Sequence, residues 1–290
     1  MTGAIRLCTD SSAQLPAAVV VALDLDVVSV GISLDGVPYD ENDLDVDLFY
    51  ARLRAGLQVT TSQPSPGGFA DAYAAAAARG ASEVLSIHVG REVSGTVGSA
   101  ELAAREALLP VTVVDTRVAS FGVGVCVMAA AEVVAAGASA AEAVGLIEQL
   151  APTLRNVFIA PGAPGGRVPS TEGLTVFSFA DGRTEIHGSA DSPEGAAELM
   201  AQHVLSDGGH VGTAVGYAGS STAQPADLLA GALQRSPRVS EVIRYRIGPS
   251  VGAHTGPLSF GAFWWPVGDA GGGAAEHRRP AREDVRRPGM

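Results

Sequence analysis

Lysine is missing from the whole 290-residue chain, in which all 19 basic residues are arginine. That absence excludes a Walker A phosphate loop, a Schiff-base nucleophile and a lysine-anchored kinase site within this sequence. Positive charge is scarce altogether. The 31 acidic side chains leave a formal net charge of −12, the opposite of a nucleic-acid binder's basic footprint, so no nucleic-acid partner is expected. Cysteine is limited to Cys8 and Cys126, each in an apolar stretch. Two such residues make no disulfide framework, and a reducing, cytoplasmic setting is the expectation. Long apolar runs are missing too. The longest candidate, Gly122 to Ala136, contains Glu132 and ends at Gly137. It falls short of the ~18 to 20 residues of a membrane helix, so it reads as a buried core helix and no membrane insertion is expected. Arg6 is followed by only a short strand-like run before Asp10, which is not a signal peptide. The six histidines show no metal-ligand spacing, so no metal is expected. Gly122-Val123-Gly124 has no third glycine in register, so the dinucleotide fingerprint is absent.

What is present is strand and helix in alternation. Ala4–Thr9 reads as a strand, Pro16–Leu23 as a short helix, and Val27–Leu34 as a strand before the turn Asp35-Gly36. Asp45 is placed to cap a helix running to Leu53. A loop over Thr60–Pro66 then leads into an alanine-rich helix, Phe69–Arg79. Glu83–Val89 and Val111–Asp115 read as strands, with a helix over Ser94–Leu109 between them. Ser139 with Glu142 forms a capping box for a helix ending near Leu150. This spacing argues for a mostly parallel sheet covered on both faces.

The second half has another grain. Arg155–Ala160 is a strand, and Leu174–Phe179 and Arg183–Gly188 flank Asp181-Gly182, a strong hairpin signal. A helix from Ser192-Pro193, the strand Val211–Tyr217, a helix around Ala223–Leu233, the strand Glu241–Arg246, a glycine-rich loop and the strand Ser259–Trp265 follow. The antiparallel component indicates a second domain. The division is 1–152, 153–267 and a disordered tail, 268–290, which has five arginines and few apolar groups.

Three loops gather hydroxyl residues among glycine and proline: Thr60–Pro66, Ser94-Gly95-Thr96 and Gly252–Pro257 with His254. In an open α/β sheet, ligands bind outside the carboxyl ends of strands, where the first two lie, and a helix start favours an anion. Each residue also has a plain structural reading. Ser94 can be a helix cap, Thr61 and Ser62 can hold a turn, His254 can fill a tight turn, and Asp10-Ser11-Ser12 can cap the Pro16 helix.

Together the motifs resemble the DegV family. Thr9-Asp10-Ser11-Ser12 with Leu15-Pro16 is similar to its opening motif, Thr61-Ser62-Gln63-Pro64-Ser65-Pro66 to its second, and Ser94-Gly95-Thr96 with Ser99-Ala100 to its third. Val114-Asp115-Thr116, Gly122-x-Gly124, Gly165-Gly166-Arg167-Val168, Ile247-Gly248-Pro249, the run Gly252–Pro257 and Gly261 continue the series in the family's order. The resemblance implies an α/β, two-domain DegV-like fold. Its N-terminal part is a three-layer α/β/α unit with a mostly parallel sheet, and its C-terminal part a two-layer α/β unit with a mixed sheet. It implies a non-catalytic fatty-acid-binding protein, with the acyl chain buried between the domains. The carboxylate would be held by Thr61, Ser94 and His254, with Ser62, Gly95 and Thr255 beside them. It also implies a separate ATP-binding fatty acid kinase subunit as partner, for phospholipid synthesis, and no cofactor beyond the fatty acid ligand. Arg167 is the candidate to meet a phosphorylated head group or the partner.

The residues suit that division of labour. Hydroxyls, backbone N–H groups and a histidine can hold a carboxylate without a buried permanent cation. Burying about a dozen methylenes at about 0.8 kcal/mol each supplies the drive, and the abundance of Ala, Val, Leu and Gly suits an apolar tunnel. Three departures bear on the ligand. Only six residues separate Val168 from Thr175, where relatives carry a longer helix-containing cavity wall, which leaves the acyl-tail end open, shallow or fitted to another length. Leu258-Ser259 replaces a usual Gly-Ala and would narrow the head-group approach. The stretch from His88 to Val93 lacks the usual serines, so His88 is either a packed strand residue or a substitute donor. The rival functions are carriage of another lipid-like ligand, or a serine hydrolase or esterase using Ser94, His254 and Asp10. Glu-Val-Ser-Gly-Thr around Ser94 is no Gly-x-Ser-x-Gly elbow.

Overall fold

A computed structural model describes residues 4–161, 173–180 and 183–267. The first half runs β1 (Ala4–Asp10), α1 (Ala17–Ala22), β2 (Asp26–Val28), β3 (Gly31–Leu34), β4 (Val37–Asp40), α2 (Val46–Arg54) and β5 (Val59–Ser62). It continues with α3 (Pro66–Ala78), β6 (Ala81–His88), α4 (Thr96–Ala104), β7 (Val111–Asp115), α5 (Phe121–Ala135) and α6 (Ala140–Leu150). The second half holds β8 (Arg155–Ile159), β9 (Leu174–Ala180), β10 (Arg183–Ala190), α7 (Pro193–Ser206) and β11 (Val211–Tyr217). It closes with α8 (Ala223–Gln234), β12 (Val239–Arg246), α9 (Pro249–Thr255) and β13 (Phe260–Pro266).

Short polar side chains start the helices where free N–H groups need acceptors. Asp45 accepts from Leu48 N ahead of α2, Ser65 from Gly68 N ahead of α3, and Ser192 from Gly195 N ahead of α7. Pro66 and Pro193 stand at the first turn, where a missing N–H is harmless. The capping box of Ser139 and Glu142 opens α6.

Strands β2-β1-β6-β7 form an all-parallel sheet. A small antiparallel sheet, β4-β3-β5, stands beside it. The second half builds a mixed sheet, β10-β9-β8-β13-β11-β12, parallel only between β11 and β12. On one face of the parallel sheet, Phe69 and Tyr73 of α3 and Ala100 and Ala103 of α4 close over Cys8, Val28 and Val84. On the other, α5 and α6 pack on Leu7, Leu85, Ile87 and Val114.

Helix α5 is apolar almost all round because both its sides are covered. Ala214, Tyr245 and Trp265 of the mixed sheet, with Ile247 just after β12, join the same core, and the rings of Phe121 and Tyr245 stack with centroids 4.3 Å apart. The far face of the mixed sheet is covered by α7 and α8 through Met200, Val204, Leu229 and Leu233. The fold is α/β, with a parallel sheet and a mixed sheet joined across α5.

Four sequence expectations are corrected here. The strand Val27–Leu34 is two strands in different sheets. Parallel pairing ends at Asp10↔Val28, the Val30 amide turns to Ser11 Oγ at 2.9 Å, and Gly31 then pairs with Asp40 and Ser62. The loop Thr60–Pro66 is a strand through Ser62, because its alternating side chains match β3, and Pro66 already lies in α3. The helix expected over Ser94–Leu109 spans only Thr96–Ala104. The glycine-rich loop before the last strand holds a seven-residue helix, α9, started by Pro249. The hairpin strands pair as read from Arg183↔Ala180 onward. Asp181-Gly182, the segment containing Arg167 and the expected disordered tail lie outside the described residues.

Candidate functional site

Strand periodicity separates neighbours in β5. Thr61 is registered with Ile32, and Val59 with Leu34, on the face that packs against Phe49, Tyr50 and Ala253. Ser62 belongs to the opposite face, where its Oγ lies over Gly31. Thr61 therefore points towards α9, and its Oγ1 is 3.0 Å from His254 Nε2. This contact joins residues 193 positions apart in sequence. An open cavity of about 360 Å³ lies on the small sheet, with Thr60, Thr61, Ser62, Gly31 and Asp40 in its lining.

The second segment follows β6. Val93 N and Ser94 N both donate to Gly90 O, which folds the chain back before α4. Ser94 lies one residue ahead of the helix cap Gly95. Its Oγ is 2.8 Å from Thr96 Oγ1 and accepts from Thr96 N at 3.3 Å. A side chain at position 95 has no room, since its Cβ would fall 1.8 Å from Gln63 Oε1. Gln63 Nε2 reaches past that glycine to donate to Ser99 Oγ at 3.1 Å. Gln63 thus ties the β5–α3 loop to α4, a role the sequence reading missed. Its signal was an amide in a tight loop of one motif, facing the glycine of the next.

The third segment is α9, which brings His254 into its last turn, beside the carbonyl end of the helix dipole. Gly252 is required there. A Cβ at that position would lie 2.3 Å from the Tyr50 hydroxyl. Thr255 turns inward, donating to Val251 O at 3.3 Å and meeting Ser259 Oγ at 2.9 Å. Ser259 is buried, while Leu258 at the same turn is 41% exposed. His254 and Gly95 are exposed, and Thr61 and Ser94 half-buried.

The structure does not assemble the hydrolase set of Ser94, His254 and Asp10. Asp10 is fully buried and engaged elsewhere: Oδ1 takes the Ser12 amide at 3.1 Å and the Ser12 hydroxyl, and Oδ2 faces His88 Nδ1 at 2.9 Å. A carboxylate only accepts, so Nδ1 donates to Asp10, and Nε2 lies 2.6 Å from the Ser86 hydroxyl. Tyr73 OH completes the chain at 2.9 Å from Ser86 Oγ. This Ser-His-Asp sequence of hydrogen bonds is sealed, with Asp10, Ser86 and His88 all at 0% exposure. His88 is thus a packed strand residue, its ring in a T-shaped contact with Phe69.

The remaining titratable groups fit the same picture. Burial pushes the Cys8 and Cys126 thiols up to about 12, so neither is a reactive thiolate. Burial also raises the Glu41 carboxyl, against the lowering effect of hydrogen bonds from Ser11 and Ser250. Among the described residues no group of three or more His, Cys, Asp or Glu side chains could hold a metal. No described helix is long and apolar enough to cross a membrane.

Residues 4–267 match a family model described as "Uncharacterised protein, DegV family". The chain belongs to the DegV family. A DegV domain-containing protein of Streptomyces coelicolor is 30% identical over 273 residues, 89% of this chain and 96% of that one. The solved structure of a Thermus thermophilus DegV family protein, reported for fatty acid binding, is 30% identical. It superimposes with a TM-score of 0.80 over 91% of this DegV chain and all of the other. The Bacillus subtilis DegV structure, 21% identical, shares the fold at a TM-score of 0.79 over 91% of this chain and all of that one.

Proposed function

We propose that this DegV protein binds a fatty acid. Its carboxylate would be received where the end of α9 meets β5, with the start of α4 tied to the following loop through Gln63, and its acyl chain buried between the two halves. The observation that carries this reading is the Thr61–His254 contact, which sets a hydroxyl and an imidazole from the two halves 3.0 Å apart at an accessible position. Thr61, Ser94 and His254 act as the head-group donors, with the Gly95 amide beside them. Ser62 and Thr255, whose hydroxyls face the outer sheet surface and Ser259, shape the surroundings. We divide the chain into domains at 1–152 and 153–267, a division supported by the sheets: among the described residues, none draws strands from both.

On this reading the protein is a carrier rather than an enzyme. A separate ATP-binding kinase subunit would reach the carboxylate at the exposed His254 edge, and Arg167 would meet the phosphoryl charge. The similarity to the Thermus thermophilus protein supports the ligand class. Ordinary energetics supports its strength, since a dozen methylenes at about 0.8 kcal/mol each outweigh the ordering costs. The test is organic extraction of the purified protein followed by mass spectrometry. Stoichiometric fatty acid is the expected result. A protein that is empty and takes up no added fatty acid would refute the reading.

A further inference from the structure

The first turn of α9 has its N–H groups capped from the opposite half of the chain. Gln14 Oε1 accepts from Gly248 N, and Glu41 Oε1 accepts from Ser250 N at 2.7 Å. Gln14 Nε2 also donates to Ser11 O at 3.0 Å and to Ser250 Oγ at 3.3 Å. The second Glu41 oxygen takes the Ser11 hydroxyl, and Ser11 Oγ in turn accepts the Val30 amide at 2.9 Å. Tyr50 adds a third tie, donating to Ile247 O at 2.8 Å and lying against Gly252. Glu41 and Gln14 are both buried. A buried carboxylate with two directed acceptors is a stiff anchor, because losing either partner leaves polar groups unsatisfied.

We propose that Glu41 and Gln14 are positioning residues for His254: by capping the start of α9 from the opposite half, they set the direction in which its last turn presents the imidazole to Thr61. Ser250 and His254 are four residues apart, about 6 Å along the helix. A shift of the first turn is therefore transmitted to the ring with little attenuation. The inference rests on the reading of Thr61 and His254 as head-group donors.

The test compares Glu41→Ala, which removes the acceptor, with Glu41→Gln, which keeps an amide oxygen for Ser250 N–H. Two quantities are read on the full chain: the ring resonances of His254 without ligand, and the Kd for oleate. Glu41→Ala should move the His254 signals, leave those of His187 on β10 and His203 on α7 in place, and weaken oleate about tenfold. Glu41→Gln should restore both readouts to within about threefold of the parent. Unmoved His254 signals in folded Glu41→Ala would overturn the proposal. If that variant does not fold, Gln14→Leu carries the test, with the same shift supporting the proposal and no shift overturning it. Shifted His254 signals in a protein that binds no oleate, parent included, would support positioning and refute the ligand reading.

Discussion

Two histidines in this molecule each sit beside a hydroxyl, and their surroundings give them opposite roles. His88 is sealed between Asp10 and Ser86, with Tyr73 beyond, and none of the first three is exposed at all. His254 meets Thr61 at an exposed helix end, where α9 of the second half comes against β5 of the first. The first arrangement has the hydrogen-bond order of a catalytic triad but admits no substrate. The second has no triad but can meet a ligand. Accessibility and the satisfaction of each polar group decide which constellation can be functional, more than residue type does.

The comparison breaks most visibly if stability and binding fail to separate. Asp10→Ala should destabilise the protein by about 3 kcal/mol or more, by orphaning buried donors of Ser12 and His88, as measured by urea unfolding. A loss below about 0.5 kcal/mol would show that the sealed network is not structural. His254→Ala should do the reverse. Its stability should stay within about 0.5 kcal/mol of the parent, while fatty-acid affinity measured by titration falls about 10- to 100-fold. A finer cut compares neighbours. Thr61→Ala should cost about tenfold in affinity and Ser62→Ala less than about twofold, because the strand turns them to opposite faces. Equal effects would contradict that assignment.

The smallest effect belongs to Glu41, which is buried like His88 but touches the His254 helix. Its carboxyl is raised by burial, with Asp10 adding to the effect and the Ser11 and Ser250 hydrogen bonds opposing it. Protonation is therefore favoured in the folded state. The resulting stability is present below the ordinary carboxylate value of about 4.3 and is lost as pH rises through the raised one. Glu41→Gln should accordingly flatten the fall in stability with rising pH, seen as a smaller change in the urea midpoint over that range. An unchanged profile would show that Glu41 does not titrate in this window.

Much of this was legible in the sequence wherever a local rule and the tertiary structure agreed. Asp45, Ser139 and Ser192 start helices as read, because nothing competes for their side chains, whereas the cap Ser65 was hidden inside a motif read as loop. The site motifs could be found as motifs, and Thr61 and His254 do meet. What could not be read was the partner of each polar group. Asp10 could orient a catalytic histidine or seal a core, and only the parallel register of β1 and β6, which brings it beside His88, decides. The seven-residue helix at His254 was hidden because its glycines argue for loop. Gly252 is there to admit Tyr50, a contact across 202 positions of sequence. Nothing in the run Asp40-Glu41-Asn42-Asp43 distinguishes Glu41 from its acidic neighbours, yet folding buries it against α9.

On the proposed function, the fatty acid is held through Thr61 and His254. Native mass spectrometry of the full chain titrated with oleate, beside the double variant Thr61→Ala/His254→Ala, tests it most directly. The parent should form a one-to-one complex, and the folded double variant should lose at least about tenfold in affinity. Equal occupancy of both proteins at every oleate concentration would contradict it.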